Sequence, residues 1–121
     1  MKRNSFLKID SELRPWGQYF VIHDEEDYKL KRIHVNPHQR LSYQYHNKRS
    51  ETWVIISGKA IVTINGISKE YYESDTIVIP LKAKHRIENN SNETLVFIEV
   101  QCGDYFGEDD IVRIEDDYRR K

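Results

Sequence analysis

The sequence predicts an all-β domain, a small jelly-roll barrel, and three observations carry that expectation. Short runs rich in β-branched and aromatic residues recur at roughly the 8–12-residue spacing of sandwiches and barrels. The runs are punctuated by turn residues, among them Asn36-Pro37, Gly58 and Asn65-Gly66. No segment of the middle region sustains a helical period.

The strands follow in order. Residues 18–22 are the first candidate. Residues 28–35 are the second, closed by Asn36-Pro37, and residues 41–46 the third, followed by a polar turn at Asn47-Lys48-Arg49. Residues 51–57 run to Gly58. Residues 60–64 meet Asn65-Gly66, a dipeptide that accepts the positive φ of a tight hairpin turn. Residues 67–72, 76–79, 85–89 and 94–101 complete the barrel. The acidic tail from Glu108 is expected to be a short helix or irregular, with Ile111, Val112 and Ile114 as its apolar residues.

At 121 residues the chain is one domain, 1–121, with no repeat or linker to divide it. Lysine and arginine number 19 against 20 aspartates and glutamates, a balance that points to neither nucleic acid nor an anionic membrane. The single cysteine, Cys102, excludes an internal disulfide and a thiolate zinc cluster, and suits a reducing cytoplasm. No apolar run is long enough for a signal peptide or a membrane span. The compartment expected is therefore cytoplasmic.

Strand phase places the chemistry. Gln44 and His46 are two apart, so both point to one face of a strand, with Ser42, while Tyr43 and Tyr45 point to the other. Glu51 carries Trp53, Ile55 and Ser57 inward, and His85 carries Ile87 and Asn89. On the last strand both faces start apolar; Leu95, Phe97, Glu99 and Gln101 are expected inward because Val96, Ile98 and Val100 can seal the outer sheet contact. Lys29 and Lys31 share a face with Ile33 and Val35, and either line the rim of a pocket or face water at a strand end. His23 and His34 have no partner at ligand spacing and read as surface residues. Trp16 and Trp53 read as packing anchors. Gln44, His46, Glu51 and His85 together offer an amide oxygen, two imidazoles and a carboxylate, a set that suits one divalent cation of borderline hardness.

These residues resemble the two motifs of the cupin superfamily, G-x5-H-x-H-x4-E-x6-G and G-x5-P-x-G-x2-H-x3-N. Here His38 stands at the first glycine and Gln44 at the first histidine, while His46, Glu51 and Gly58 are kept. In the second motif Ser74 and Lys82 replace glycines, while Pro80, His85 and Asn89 are kept. Longer strings resemble one branch more closely: Arg14-Pro-Trp-Gly17, Tyr28-Lys-Leu-Lys-Arg-Ile33, Arg49-Ser-Glu51, His85-Arg-Ile-Glu-Asn89, Glu99-Val-Gln101 and Gly107-Glu-Asp-Asp-Ile-Val-Arg113. That branch is the C-terminal isomerase domain of type II phosphomannose isomerase/mannose-1-phosphate guanylyltransferase. The family typically carries a further histidine where this chain has Lys48.

The resemblance implies a cupin-type double-stranded β-helix and a metal-dependent aldose–ketose isomerase acting on mannose 6-phosphate and fructose 6-phosphate. The chain starts almost at the cupin, so guanylyltransferase activity is expected to be absent. The metal is expected on Gln44, His46, Glu51 and His85, with zinc first and manganese, cobalt, nickel or iron also accepting such ligands. Proton transfer between C2 and C1 through an enediol needs a base, for which Glu99 is the candidate; the alternative for Glu99 is a paired surface carboxylate. Arg49, placed in a turn, is the candidate for phosphate or oxyanion. Lys29, Lys31, Ser42 and Arg113 are the further substrate-binding candidates. A sugar phosphate is the expected partner, and a homodimer exchanging its N-terminal strand the expected assembly. The alternatives are a non-catalytic cupin that binds a sugar phosphate or sugar nucleotide, and an iron dioxygenase, against which Gln44 in place of a histidine argues.

Overall fold

The computed structural model describes residues 10–120, all strand and loop, folded as two antiparallel sheets laid face to face. The first sheet takes β1 (Asp10–Arg14), β2 (Gly17–Asp24), β3 (Tyr28–Val35), β5 (Arg49–Ser57), β8 (Thr76–Ile79) and β10 (Leu95–Gly103), in the order β1-β2-β3-β10-β5-β8. The second takes β4 (Tyr43–Tyr45), β6 (Ala60–Ile64), β7 (Ile67–Tyr71), β9 (His85–Glu88) and β11 (Val112–Glu115), in the order β11-β4-β9-β6-β7. No helix among the described residues is long and apolar enough to cross a membrane. The N-terminal segment of the expected strand exchange lies mostly outside the described residues.

Alternation writes the core. Along β5 and β10 every second side chain is buried, which sends Trp53 and Ile55 inward beside Leu95 and Phe97. Ala60, Val62 and Ile87 answer from the second sheet. The same phase carries polar residues inward at one end. Lys31, Glu99 and Trp53 form one cross-strand row, and Lys29, Gln101 and Glu51 the next. The sheets are therefore apolar at one end and polar at the other, and the polar end is where they open.

Three details differ from the sequence-based expectation. The C-terminal tail forms no helix; β11 pairs with β4, because Val112 and Ile114 alternate with polar residues at the strand period. Ser57 is exposed rather than inward, because a bulge beside Val96 and Phe97 admits an extra residue on β5 and flips its end. His34 is half-buried rather than on the surface, packed on Phe20 with ring centroids 5.0 Å apart. The edge strand β1 was not expected at all. Its burial is slight, so no apolar alternation announces it.

Two kinds of backbone position shape the turns. A Cβ on Gly17 would meet the His34 carbonyl oxygen at 2.0 Å, so the β2–β3 approach requires glycine. His38, Ser74 and Lys82 instead hold positive φ values of 61°, 76° and 65° with side chains present. These turns are kept in shape by their hydrogen bonds: Ser74 N–H donates to the Ile55 carbonyl at 2.8 Å and Lys82 N–H to the His46 carbonyl at 3.0 Å. The left-handed conformation costs a non-glycine residue about 1–2 kcal/mol, and glycine gives back about 0.5–1 kcal/mol in backbone entropy. Lys82→Gly should therefore raise stability by about 0.5–1 kcal/mol in thermal or denaturant unfolding, whereas Gly17→Ala should lower it sharply. Lower stability for Lys82→Gly would show that this turn is not strained.

Candidate metal centre

His46, Glu51 and His85 meet at the open, polar end, each only 2% exposed. One ligand atom from each lies within 4.8 Å of the others. The strand phase of β5 points Glu51 inward, β9 begins at His85, and His46 follows β4 directly. Gln44 is the cross-strand partner of His85 and lines the same cavity, as does the buried Ser42.

The far nitrogen of each imidazole fixes its orientation. His46 Nδ1 lies 2.8 Å from the Asp110 carbonyl oxygen, and His85 Nδ1 lies 2.9 Å from that of Ala83. A carbonyl only accepts, so both Nδ1 atoms carry the hydrogen and both Nε2 atoms face the shared space. His85 Nε2 is buried with no hydrogen-bond partner among the described residues. Burial holds the His85 pKa below its ordinary value, against the pull of Glu51, so that ring is neutral at pH 7. Two imidazoles and a carboxylate aimed at one point, each backed by a second contact, are the donor set a divalent cation takes. The residues present fit such an ion.

Glu51 is held on both oxygens. Trp53 Nε1 donates to Oε1 at 2.9 Å, and Arg49 Nε donates to Oε2 at 2.9 Å, an oxygen that also lies 3.2 Å from His46 Nε2. Burial opposes ionisation, but His46, Arg49 and His85 outweigh it and hold the carboxyl well below the usual range. Trp53 is thus more than a packing anchor. Arg49 is not in a turn; it opens β5, is 4% exposed, and also reaches His46 Nε2 at 3.4 Å.

Glu99 is buried in the same cavity and accepts from Gln101 Nε2 at 2.7 Å. Burial, and then the charge of Glu51, push its pKa up to about 8, with Lys31 and Arg49 pulling the other way. Lys31 is 4% exposed, with Nζ 3.1 Å from Glu108 Oε2 and 4.2 Å from the centre of the Tyr19 ring. Lys29 stands one row along and does not line the cavity; its Nζ is 4.0 Å from Asp24. Arg113 does line it, from β11.

The segment after β10, read from sequence as a solvated acidic tail, supplies what sequence reasoning missed. Glu108 faces Lys31 and stands 4.0 Å from Arg49 Nη1. Asp110, 8% exposed, accepts the Asn47 and Lys48 amides at 3.0 and 2.9 Å, while its own carbonyl takes His46 Nδ1. The string Gly107 to Arg113 was the available signal, but no periodicity shows which of its acids turn inward. Arg14 and Arg120 also line the cavity and were likewise missed.

Residues 2–116 match the sequence model described as "Mannose-6-phosphate isomerase C-terminal". The chain belongs to that family. Among its relatives, it is 50% identical over 107 residues to the mannose-1-phosphate guanylyltransferase ManC of Salmonella typhimurium, covering 88% of this chain and 22% of that protein. It is 47% identical over 107 residues to the mannose-1-phosphate guanylyltransferase of Escherichia coli K12, with the same shares covered. The chain therefore spans less than a quarter of the length of these two relatives. Oxalate decarboxylase of Bacillus subtilis superposes with a TM-score of 0.77 at 21% identity, covering 88% of this chain and 30% of that one. The capsular polysaccharide assembling protein CapF of Staphylococcus aureus superposes at 0.76 and 19%, covering 90% and 32%. Together with a double-stranded β-helix protein of Klebsiella pneumoniae at 0.70, 24% identical and covering 79% of this chain and 82% of that one, these place the fold among the cupins.

Lys48, where the resemblance leads one to expect a histidine, is exposed and rests its Nζ 4.9 Å from the Tyr105 ring centre, and the triad forms without it. His85→Ala or His46→Ala should leave a folded protein that no longer retains one equivalent of divalent metal after dialysis. Full metal occupancy in His85→Ala would sink the assignment. Asp110→Ala removes the acceptor of two amides beside His46 and should weaken metal binding by about 10–100-fold, read by competition with a chelating dye.

Proposed function

We propose that this chain is a metal-dependent aldose–ketose isomerase interconverting mannose 6-phosphate and fructose 6-phosphate. The observation that supports this most is a buried carboxyl of raised pKa, Glu99, in one cavity with two buried cations and with Glu51 and His85, which His46 joins to complete the triad. The cavity is about 60 Å³ and opens to solvent at its mouth.

His46, Glu51 and His85, with Gln44 beside them, would hold the ion. A divalent cation bound there supplies Lewis-acid polarisation of the sugar's carbonyl and adjacent hydroxyl. Glu99 takes the proton from C2 and returns it to C1. A group that gives and takes one proton works best with a pKa near the operating pH, and Glu99 sits close to that condition. The Glu51 charge that helps raise it would be offset by a cation on Glu51, which would bring Glu99 down toward neutrality. Gln101 orients Glu99 through the 2.7 Å hydrogen bond to Oε2. Lys31, the cross-strand neighbour of Glu99, and Arg49 carry the positive charge that steadies negative charge developing on the sugar oxygens. The cavity walls of Trp16, Tyr19 and Trp53 keep water from competing for the proton.

The same site also suits a non-catalytic role, binding a sugar phosphate or sugar nucleotide beside a separate enzyme, a reading supported by relatives that are named guanylyltransferases. A coupled assay for fructose 6-phosphate formed from mannose 6-phosphate separates the two. Turnover that stops on chelation and returns with added zinc or manganese is expected of the isomerase. Binding without turnover under every metal would leave the accessory role. Glu99→Gln keeps shape and removes the acceptor, so turnover should fall by about 10²–10⁴-fold while metal content and sugar binding persist. Turnover within a few-fold of the parent would make Glu99 structural.

A further inference from the structure

A hexose 6-phosphate presents two recognisable ends, and the cavity offers cations for both. Arg49 belongs to the triad's end, and Lys31 is the cross-strand partner of Glu99. Arg49 Nε is on Glu51 at 2.9 Å and Nη2 reaches His46 Nε2 at 3.4 Å, so an anion bound there lies against the metal-ligating atoms. The reacting carbons C1 and C2 have to occupy that place. The phosphate, on C6, cannot share it in an extended sugar.

A second group of cations lines the same cavity elsewhere. Arg113 on β11 is the register partner of Gln44, and Gln44 of His85, so the three stand in one row across three strands on one face. Neighbouring strands are about 4.8 Å apart, which puts the Arg113 backbone about 10 Å from that of His85. That span suits the two ends of an open-chain hexose phosphate once the arginine side chain reaches inward. Arg14, from the edge strand β1, holds its guanidinium 5.2 Å from the Tyr19 ring centre, and its Nη2 lies 3.2 Å from Glu12 Oε2 and 3.3 Å from the Tyr19 hydroxyl. Arg120 is braced by Asp116 through contacts of 2.9 and 3.0 Å. Burial, then the charges of Arg120 and, less strongly, Arg14, bring the Arg113 pKa down, so the three guanidiniums share one electrostatic neighbourhood. Glu12, Asp116 and Glu108 offset part of this charge, and the planar guanidinium forks match phosphate oxygens.

We propose that Arg14, Arg113 and Arg120 form the phosphate subsite of this cavity, leaving Lys31 and Arg49 to the oxygens at the reacting end. This rests on the sugar-phosphate reading above.

Calorimetric titration of the metal-loaded protein with mannose 6-phosphate, mannose and inorganic phosphate tests it. The parent should prefer mannose 6-phosphate to mannose. Arg14→Gln and Arg113→Gln should each lose about tenfold in affinity for mannose 6-phosphate, with weaker inorganic phosphate binding, while mannose affinity and metal content stay within about twofold. Arg113→Lys, which keeps the charge and loses the fork, should fall between. Preference for the phosphorylated sugar that survives both Gln variants, but disappears in Lys31→Gln, would overturn the subsite and leave the sugar-phosphate reading standing. A parent that binds both sugars equally would overturn both. Should Arg113→Gln melt early, Arg14→Gln, on a slightly buried edge strand, decides the matter by itself.

Discussion

The polar end of this molecule depends on one buried charge, the Glu51 carboxylate. A carboxylate at 2% exposure is costly unless its oxygens find donors, and here the indole of Trp53 and the guanidinium of Arg49 supply them, with His46 Nε2 facing Oε2 at 3.2 Å. Each partner is itself buried and therefore constrained. Trp53 packs on Phe97 and on the edge of His85, so the candidate metal ligands are set by the same side chains that fill the core. Core packing and site geometry are one arrangement at this point.

A second layer of contacts ties the site to the end of the chain. Asp110 ties the segment after β10 to the turn after β4 and sets the His46 ring through its carbonyl. Glu108 meets Lys31 and approaches Arg49, and those two cations hold its pKa down despite burial. On the outer side Arg86 and Arg40 bind the acids of β11 and the residues after it, with Arg86 Nη1 2.7 Å from Glu115 and Arg40 Nε 2.7 Å from Asp117. Charged residues that look like a solvated tail are thus distributed between an inner and an outer role. The proposed roles of Glu99 and the arginine wall both depend on this closure, because it sets how much water the cavity admits.

The turns show how far the chain departs from the usual cupin pattern without leaving the fold. Where the motifs carry glycine, His38, Ser74 and Lys82 adopt left-handed backbone all the same. The strain is local and sits at exposed or half-buried corners, where it is offset by the sheet pairing on either side. Loss of the glycine changes the cost of each turn, not its shape.

Turn spacing and alternation by themselves marked the strands from β2 to β10, whereas the phase of β10, apolar on both faces, was decided by its pairing between β3 and β5, which turns Glu99 and Gln101 inward. The motif spacing marked Gln44, His46, Glu51 and His85 for one cation, and the fold sets Gln44 beside His85 across β4 and β9 with Glu51 facing them from the other sheet. Tertiary structure alone decided the rest. That Arg49 is buried against Glu51, that Lys31 turns in while Lys29 stands one row out, and that Asp110 and Glu108 reach the site are matters of which distant segments come to lie together. The bulge that turns Ser57 outward and the pairing that makes residues 112–115 a strand follow from cross-strand register, which a single strand's pattern does not contain. Period-two chemistry is local and legible; long charged side chains take their direction from partners far away in the chain, and only the folded molecule supplies those.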